Sequence, residues 1–383
     1  KNVNDTLGHD YGDELLIQVA EKLADSISNG DILARTGGDE FLIFKNYISS
    51  YEDAEETAKS LVDITKHPFL VKDETVHVSI SVGISHFPEH GLSLTELIKN
   101  ADIAMYSAKA GGKNNYQIFN STMADGVNHK NEIIAILQEA LANGEIYMVY
   151  QPQADVVSGK IIGFEALMRL NSSIAGFIPP SEFIPVAEEC GIIEELGDWA
   201  LFEACSFNQR LINEGFKPII VSVNVSTTQL KGDHLISTLE RVEEETGMSL
   251  KYLELEITES ILMNDLDHNL DLINRIKAMG AMISLDDFGT GYSSFNYLTQ
   301  IPINTLKIDK AFIDNIYHNE KDRYIADTII SLAHKMDIRV IAEGVEDINQ
   351  LQILQSQMCD IIQGYYFSRP IEEDSFIELL QKN

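Results

Sequence analysis

Two patterns of apolar and polar residues, one helical and one strand-like, follow each other along residues 1–119. Apolar residues recur at helical spacing in three segments, and Gly111-Gly112 stops the last of them. The pattern predicts helices over Glu14–Ser26, Glu52–Thr65 and Leu94–Ala110, and strands over Phe41–Phe44 and Val76–Ser85. Helices and strands mixed in this way predict an α/β sandwich for residues 1–119.

From Gly144 onward, strand, loop and helix patterns repeat to the end of the chain. Tyr147–Gln151 and Lys160–Arg169 flank a Val-Ser-Gly turn and predict a hairpin, so the first strand should run antiparallel to the second. Later strands are predicted at Ile219–Asn224, Tyr252–Thr258, Met282–Asp286, Thr305–Ile308, Val340–Glu343 and Ile361–Gln363. This alternation over residues 144–383 predicts a (β/α) barrel whose first strand is antiparallel.

Residues 120–143 connect the two patterns. They begin polar and then place Ile133, Ile136, Leu137 and Leu141 at helical spacing, which predicts a linker helix. A chain of 383 residues with 44% apolar residues is long enough for two domains, each with its own core. We therefore place the first domain at 1–119, the linker helix at 120–143 and the second domain at 144–383.

Charge and cysteine content narrow the classes of function. Sixty acidic against 28 basic residues give a formal charge of −32, which argues against binding duplex nucleic acid or an anionic membrane surface. An anionic substrate would need local metal ions or a few cationic side chains. Cys190, Cys205 and Cys359 are odd in number and lack CxxC spacing, which is typical of a reducing cytoplasm. No apolar run approaches the ~18 residues of a membrane span, so we expect a cytoplasmic location.

Polar side chains stand near the ends of seven predicted strand segments in the second half. They are Glu165, Asn224, Glu256, the Asp286-Asp287 pair, Lys307, Glu343 and Gln363. In a parallel barrel the strand ends meet at one rim, where such enzymes hold their catalytic residues. Oxygen ligands without histidine or cysteine favour Mg²⁺ or Mn²⁺ over zinc. Two adjacent carboxylates suit a pair of cations that promotes hydrolysis of a phosphate ester.

The neighbourhood of these residues adds detail. Asp286 and Asp287 would point to opposite faces of a regular strand, so both can reach one site only where the strand ends. Lys307 and Asp309 share a face, and Arg169 lies at the same rim, where it can grip a phosphate. Any one of these residues alone is more often a solvated side chain or a helix cap. Their recurrence at successive strand ends favours the functional interpretation.

On these residues, the second half closely resembles the EAL domain of cyclic di-GMP phosphodiesterases. The shared motifs are Glu165-Ala166-Leu167 followed by Met168-Arg169, YQPQ at 150–153, DDFGTGYSS at 286–294, KID at 307–309 and EGVE at 343–346. The resemblance implies that two Mg²⁺ or Mn²⁺ ions bind Glu165, Asn224, Glu256, Asp286, Asp287 and Glu343, and that cyclic di-GMP is opened to linear pGpG.

The same resemblance implies roles for the remaining residues. Lys307 would position the attacking water, Glu259 would steady the DFGTGYSS loop, and Glu346 would be a supporting acid. Substrate contacts would come from Arg169, Leu167, Gln151, Gln363 and Asp309. The segment after Arg169, LNSSIAGFIPP, lacks the tryptophan and first proline of the family's RWxxP pattern. We expect this departure to alter substrate affinity more than chemistry.

The first domain carries Gly-Gly-Asp-Glu-Phe at 37–41. Gly37-Gly38 can form a tight turn that approaches phosphates while Asp39 and Glu40 face a metal, but a plain hairpin turn with solvated acids would look the same. The surrounding residues resemble the GGDEF domain of diguanylate cyclases. The resemblance implies that the domain binds Mg²⁺-GTP, with guanine contacts from Asn4 and Asp13, phosphate contacts from Lys109 and Lys113, and metal contacts from Asp39 and Glu40.

The GGDEF domain begins at Lys1 without its first strand, on which the family carries a metal-binding aspartate. We therefore expect little or no cyclase activity from this chain and a preceding sensor domain in a longer parent protein, for which membrane tethering stays open. The leading hypothesis is a cyclic di-GMP phosphodiesterase with a GGDEF domain that binds GTP or, at full length, synthesises the messenger. The alternative is a silent cyclic di-GMP receptor that signals through a partner. Both families suggest a homodimer.

Overall fold

The computed structural model describes residues 7–263, 266–289, 298 and 300–383, and the chain divides into two compact units, Lys1–Glu132 and Ile133–Asn383. Each unit has its own hydrophobic core. Among these described residues, no helix is long and apolar enough to cross a membrane.

The N-terminal unit combines helices with three pairs of short strands. Strands β1 and β2 pair antiparallel, as do β3 and β4, whereas β5 and β6 pair in parallel. The elements are α1 His9–Asp25, β1 Ile32–Gly37, β2 Glu40–Phe44, α2 Tyr51–Asp63, β3 Phe69–Val71, β4 Glu74–Val76, β5 Val82–Ile84, α3 Leu94–Ala110 and β6 Tyr116–Ile118. The predicted mixed α/β class is confirmed.

Local signals account for α3, which has the predicted bounds. Ser93 caps its first turn by accepting a hydrogen bond from the backbone N–H of Glu96, and the Glu96 side chain accepts one from the backbone of Ser93. Strand β5 packs directly on this helix, because a Cβ at Gly83 would lie 2.0 Å from the carbonyl oxygen of Ala101. Glycine at this position therefore allows the close approach of strand and helix.

The prediction of one strand over Val76–Ser85 is wrong. Strand β4 ends at Val76 and β5 begins at Val82, although exposed and partly buried residues still alternate through 77–80. Strand β4 takes its hydrogen bonds from β3, whereas β5 takes them from β6. Alternation reports which face is buried, and it carries no information about which neighbour supplies the ladder.

A long helix, α4 Ser121–Ala140, contains the boundary between the two units. Its last turns bury Ile133, Ile136, Leu137 and Ala140 in a core cluster of the second unit. These apolar residues repeat at helical spacing, so one stripe of the helix is covered.

The second unit is a closed eight-stranded barrel. Strands follow the order β8, β10, β11, β12, β13, β14, β15 and β7, and β7 closes the ring by pairing antiparallel with β8 and β15. Strand β9 pairs antiparallel with the last residues of β8. The strands are β7 Ile146–Asp155, β8 Ile161–Ser172, β9 Gly176–Ile178, β10 Ile220–Asn224, β11 Leu253–Thr258, β12 Met282–Phe288, β13 Thr305–Ile308, β14 Arg339–Ala342 and β15 Ile361–Ile362. The predicted barrel with an antiparallel first strand is confirmed.

Helices connect and cover the barrel strands. They are α5 Pro180–Cys190, α6 Ile193–Asn213, α7 His234–Thr246, α8 Glu259–Met263, α9 Leu266–Ala278, α10 Lys310–Ile313, α11 Glu320–Lys335, α12 Ile348–Ser356 and α13 Glu373–Lys382, with a 3₁₀ turn at Leu250–Tyr252. Strand β11 shows how the sequence places the site: Leu253, Leu255 and Ile257 pack in the hydrophobic core, whereas Glu254 and Glu256 contact polar residues of β13. The period of two carries acidic residues into the barrel.

Candidate active site

The polar residues predicted from the strand ends come together at one rim of the barrel. They lie on seven different strands or directly after them: Glu165 on β8, Asn224 on β10, Glu256 on β11, Asp286 and Asp287 on β12, Lys307 on β13, Glu343 after β14 and Gln363 after β15. Because β8 and β10–β15 run in parallel, residues far apart in sequence reach the same edge.

Lys307 is the centre of the site. Its ammonium Nζ lies 2.6 Å from Glu256 Oε2 and 2.7 Å from Glu343 Oε1, and 3.5 Å from both Glu165 Oε2 and Asp286 Oδ1. The side chain is only 1% exposed. Burial by itself would lower the pKa of Lys307, but the surrounding carboxylates raise it well above its usual value. Lys307 is therefore a cation under physiological conditions.

The carboxylates differ in how readily they ionise. Burial raises the pKa of Glu256 well above its usual value, and Glu165 adds to the effect. Burial also raises the pKa of Glu343 to about 7, although Lys307 opposes the rise. Burial disfavours the ionised form of Glu165 too, but Lys307 and the amides of Gln363 and Asn224 lower its pKa overall. The site holds more acidic groups than one lysine can neutralise.

The sequence suggested that Asp286 and Asp287 reach the site because the strand ends beside them. They reach it instead through a bulge in the strand. Strand β12 continues to Phe288, and its register with β13 shifts between Leu285 and Phe288. Asp287 has a φ of 54°, in the left-handed region, and its N–H donates to Asp286 Oδ1 at 2.9 Å. A bulge re-aims a side chain, which explains how two adjacent carboxylates can serve one site.

The residues present fit divalent cations. Oxygen atoms of Asp286, Asp287 and Glu343 all lie within 4.8 Å of one another. Glu256 Oε1 is buried and has no hydrogen-bond partner in the described part of the chain, so it is available as a ligand. Carboxylate and amide oxygens suit Mg²⁺ or Mn²⁺, since both cations prefer oxygen ligands.

Amide side chains hold Glu165 from two sides. Asn224 Nδ2 donates to Glu165 Oε1 at 2.7 Å, and Gln363 Nε2 donates to Glu165 Oε2 at 2.6 Å. Gln363 Nε2 also donates to Gln151 Oε1 at 3.0 Å. These bonds fix the carboxylate plane, because each oxygen has its own donor.

A cavity of about 290 Å³ opens over this group of residues. The residues lining it are Gln151, Glu165, Leu167, Asp286, Lys307, Lys310, Glu343, Gly344, Glu346, Gln363, Gly364 and Tyr365. The predicted substrate residues Gln151, Leu167 and Gln363 are among them. Lys310 and Tyr365 were missed by sequence reasoning, because a lysine at a helix start and a tyrosine in a loop carry no periodic signal.

Of the other predicted residues, Glu346 lines the cavity, whereas Arg169, Asp309 and Glu259 do not. Arg169 is half-buried, Nη1 donates to the carbonyl oxygen of Met168 at 2.8 Å, and burial lowers the guanidinium pKa. Asp309 caps α10 by accepting from the N–H of Ala311 at 2.9 Å. Glu259 Oε2 accepts from the N–H of Gly289 at 3.4 Å, and Glu346 Oε1 accepts from Lys310 Nζ at 2.5 Å.

In the N-terminal unit, Gly38 and Asp39 form the turn between β1 and β2, and Gly37, predicted as part of the turn, ends β1 and pairs with Glu40. Gly38 has a φ of 50°, and the Arg35 guanidinium donates to its carbonyl oxygen at 2.9 Å from Nε and 2.6 Å from Nη2. Asp39 and Glu40 are exposed at this turn. Within the described ranges, neither carboxylate belongs to a cluster of three metal-binding side chains.

The remaining predicted nucleotide contacts of this unit lie on its surface. Asp13 on α1 is exposed, as are Lys109 at the end of α3 and Lys113 after it. Asn4 lies outside the described residues. Sequence reasoning passed over Asp102 on α3. Its pKa is raised overall, first by partial burial and then by the charge of Glu40, although Lys109 opposes the rise. Glu40 and Lys109 therefore share a neighbourhood with Asp102.

Comparison with known proteins agrees with this fold. The model of the EAL domain family matches residues 134–370, and that of the diguanylate cyclase GGDEF domain matches residues 1–115. A barrel with this acidic rim defines an EAL-type domain. The chain belongs to the EAL domain family, and the resemblance seen in the sequence is confirmed.

Curated relatives and a solved structure show the extent of the likeness. The signaling protein YkoW of Bacillus subtilis is 38% identical over 99% of this chain and 48% of its own length. The cyclic di-GMP phosphodiesterase NbdA of Pseudomonas aeruginosa is 36% identical over 100% of this chain and 48% of its own length. The structure of the PaMucR phosphodiesterase in complex with c-di-GMP is 34% identical, with a TM-score of 0.62, and covers 64% of this chain and 99% of its own. The chain spans about half the length of these curated relatives.

Proposed function

We propose that the barrel hydrolyses cyclic di-GMP to linear pGpG with the help of two divalent cations, Mg²⁺ or Mn²⁺. The observation that carries the proposal is the group of five carboxylates, Asn224 and Lys307 at one rim, in a chain of the EAL domain family. Four of these side chains are buried: Glu165, Glu256, Asp286 and Lys307. The ligands of the two cations would be Glu165, Asn224, Glu256, Asp286, Asp287 and Glu343. In the reaction, a water oxygen forms a bond to phosphorus, the bond from phosphorus to a ribose 3′ oxygen breaks, and that oxygen takes up a proton.

The side chains of this chain would bind and orient the reacting groups. Lys307 keeps its positive charge among four carboxylates, so it can hold the attacking water by hydrogen bonding and offset the charge of the phosphodiester. Arg169 has further N–H donors besides the one bonded to Met168, and these suit a phosphate oxygen pair. Gln151, Leu167, Gln363 and Asp309 are proposed to contact the nucleotide. When bound, the cations would supply Lewis-acid charge and a more acidic water.

Two acids are proposed to support the site without contacting the phosphate. Glu259 accepts a hydrogen bond from the backbone of Gly289, directly after the bulged strand, and so can hold the position of Asp287. Glu346 pairs with Lys310 at the mouth of the cavity. Loss of either side chain should reduce turnover less than loss of Lys307.

The test is incubation of the chain with cyclic di-GMP and Mn²⁺ or Mg²⁺, with pGpG followed by chromatography. Glu165→Gln should abolish product formation, because it removes a proposed ligand and retains the size of the side chain. Glu214→Gln is the matched control, since Glu214 is exposed beyond the end of α6. Tight binding of cyclic di-GMP without pGpG would contradict the proposal and favour a receptor that signals through a partner.

We propose further that the N-terminal unit binds GTP with Mg²⁺ and regulates the barrel. Exposed Asp39 and Glu40, at the turn that follows Gly37, support an anion and metal site there. In this scheme the GGDEF domain occupies 1–119, the linker helix 120–143 and the EAL domain 144–383. We also propose a homodimer and, from the greater length of the relatives, a sensor domain in the whole protein. GTP titration of the chain with an Asp39→Asn control tests the proposed binding of GTP, and sedimentation velocity tests the proposed homodimer.

A further inference from the structure

Gln153 does not line the cavity, and its side chain is hydrogen-bonded to one residue of the site. Gln153 is on β7 and is 3% exposed. Its Nε2 donates a hydrogen bond to Gln363 Oε1 at 3.0 Å. Gln363 in turn contacts Glu165, so Gln153 is one step removed from a proposed metal ligand.

The direction of these hydrogen bonds is fixed by the carboxylate. An ionised carboxylate only accepts hydrogen bonds, so Gln363 must present its NH₂ group to Glu165 Oε2, at 2.6 Å. The second N–H of Gln363 donates to Gln151 Oε1 at 3.0 Å. The carbonyl oxygen of Gln363 then points the other way, and only a donor can satisfy it. The Gln153 amide is that donor.

Packing holds the Gln153 amide in place. Gln153 pairs with Gly163 across β7 and β8, and a Cβ at Gly163 would lie 2.9 Å from Gln153 Oε1. The glycine therefore provides the space that the amide occupies. A buried amide enclosed in this way cannot rotate without leaving polar atoms unpaired, which is unfavourable.

We infer that Gln153 is a positioning residue: it fixes the amide of Gln363 so that its N–H groups face Glu165, and thereby holds the Glu165 carboxylate ready for a cation. The inference rests on the proposed function of Glu165 as a metal ligand. Residues that orient a ligand from behind typically affect metal affinity by about 10–100-fold. Gln153 belongs to this class although it touches neither substrate nor cation.

Two substitutions separate hydrogen-bond direction from packing. Gln153→Glu keeps the shape but replaces the donor by a carboxylate, so Gln363 must turn its NH₂ group away from Glu165. Gln153→Met keeps most of the volume and removes the donor without forcing the amide to turn. Gln352→Glu adds the same charge on the exposed face of α12 and is the matched control.

The measurement is Mn²⁺ binding to the intact chain without nucleotide, followed by electron paramagnetic resonance of free Mn²⁺. The Glu165→Gln chain defines the binding that does not belong to the barrel. We expect the dissociation constant to rise by about 10-fold or more for Gln153→Glu, by less for Gln153→Met, and to stay unchanged for Gln352→Glu. Thermal unfolding followed by Trp199 fluorescence reports whether the barrel remains folded.

Several outcomes would overturn the inference. One is that Gln153→Glu binds Mn²⁺ as tightly as the unaltered chain. Another is that both substitutions weaken binding equally and in proportion to lost stability. If Gln153→Glu does not fold, unchanged affinity in Gln153→Met overturns it instead. Since the measurement uses no nucleotide, it separates the two proposals: a chain that shows the expected order of Mn²⁺ affinities but produces no pGpG contradicts the proposed reaction and supports the role of Gln153.

Discussion

Replacing Glu343 by glutamine should make the metal-free barrel more stable at alkaline pH. Burial raises the pKa of Glu343 to about 7, from an ordinary value of 4.5. At about 1.36 kcal/mol per pKa unit, this rise corresponds to about 3 kcal/mol that the folded chain loses when the carboxyl ionises. Glutamine has the same shape and no charge, so it avoids that loss.

The sign follows from proton binding. Because the pKa of Glu343 is higher in the folded chain, the folded state holds a proton that the unfolded state has released. The stabilising contribution is complete below the unfolded value of 4.5 and disappears as the pH rises through about 7. The free energy of unfolding of Glu343→Gln relative to the unaltered chain should therefore grow by about 2–3 kcal/mol between about pH 5 and pH 8.

Urea unfolding in EDTA, followed by fluorescence of Trp199, measures this difference. Trp199 is the single tryptophan of the chain and lies on α6, so the signal reports the barrel alone. Glu214→Gln, on the surface, should show no such pH-dependent gain. With saturating Mn²⁺ the unaltered chain should instead be more stable than Glu343→Gln, because only the carboxylate is a full ligand. A Glu343→Gln chain that is less stable at pH 8 than at pH 5, relative to the unaltered chain, would refute the reasoning.

Three further predictions concern the same rim. Lys307→Met should lower the free energy of unfolding of the metal-free chain by about 3–5 kcal/mol in urea titrations, and more at high pH, because buried carboxylates lose their cation; unchanged stability would contradict this. Gly344→Ala should lower stability and pGpG formation more than Gly247→Ala. Both glycines have positive φ (66° and 72°), but only at Gly344 would a Cβ meet Lys310 Cγ, at 2.4 Å. Equal losses would show that backbone strain alone matters. Removing divalent cations with EDTA should abolish pGpG formation, and Mg²⁺ or Mn²⁺ should restore it better than Zn²⁺, because the ligands are oxygen atoms; full recovery with Zn²⁺ would oppose this ligand set.

Several elements were predictable from sequence because their signals are local. Helix α3 and strand β13 have the predicted bounds, and most other predicted elements differ by a few residues at their ends. The capping pair Ser93 and Glu96 and the apolar period are enough to place α3. The meeting of the polar side chains at one rim was also predictable, because the end of each parallel strand must reach the same rim, whatever the details of packing.

The sequence by itself determined the chemistry of the rim: which oxygen-bearing side chains, at the ends of which strands, around which lysine. Tertiary structure alone decided how they meet. The bulge that gives Asp287 a φ of 54° arises where β12 meets β13, and the direction of the Gln153 and Gln363 amides follows from a carboxylate on another strand. Such features depend on neighbours that are distant in sequence, so they leave no periodic pattern within the segment itself. The same reason explains why an alternating run at Val76–Ser85 became two strands with different partners.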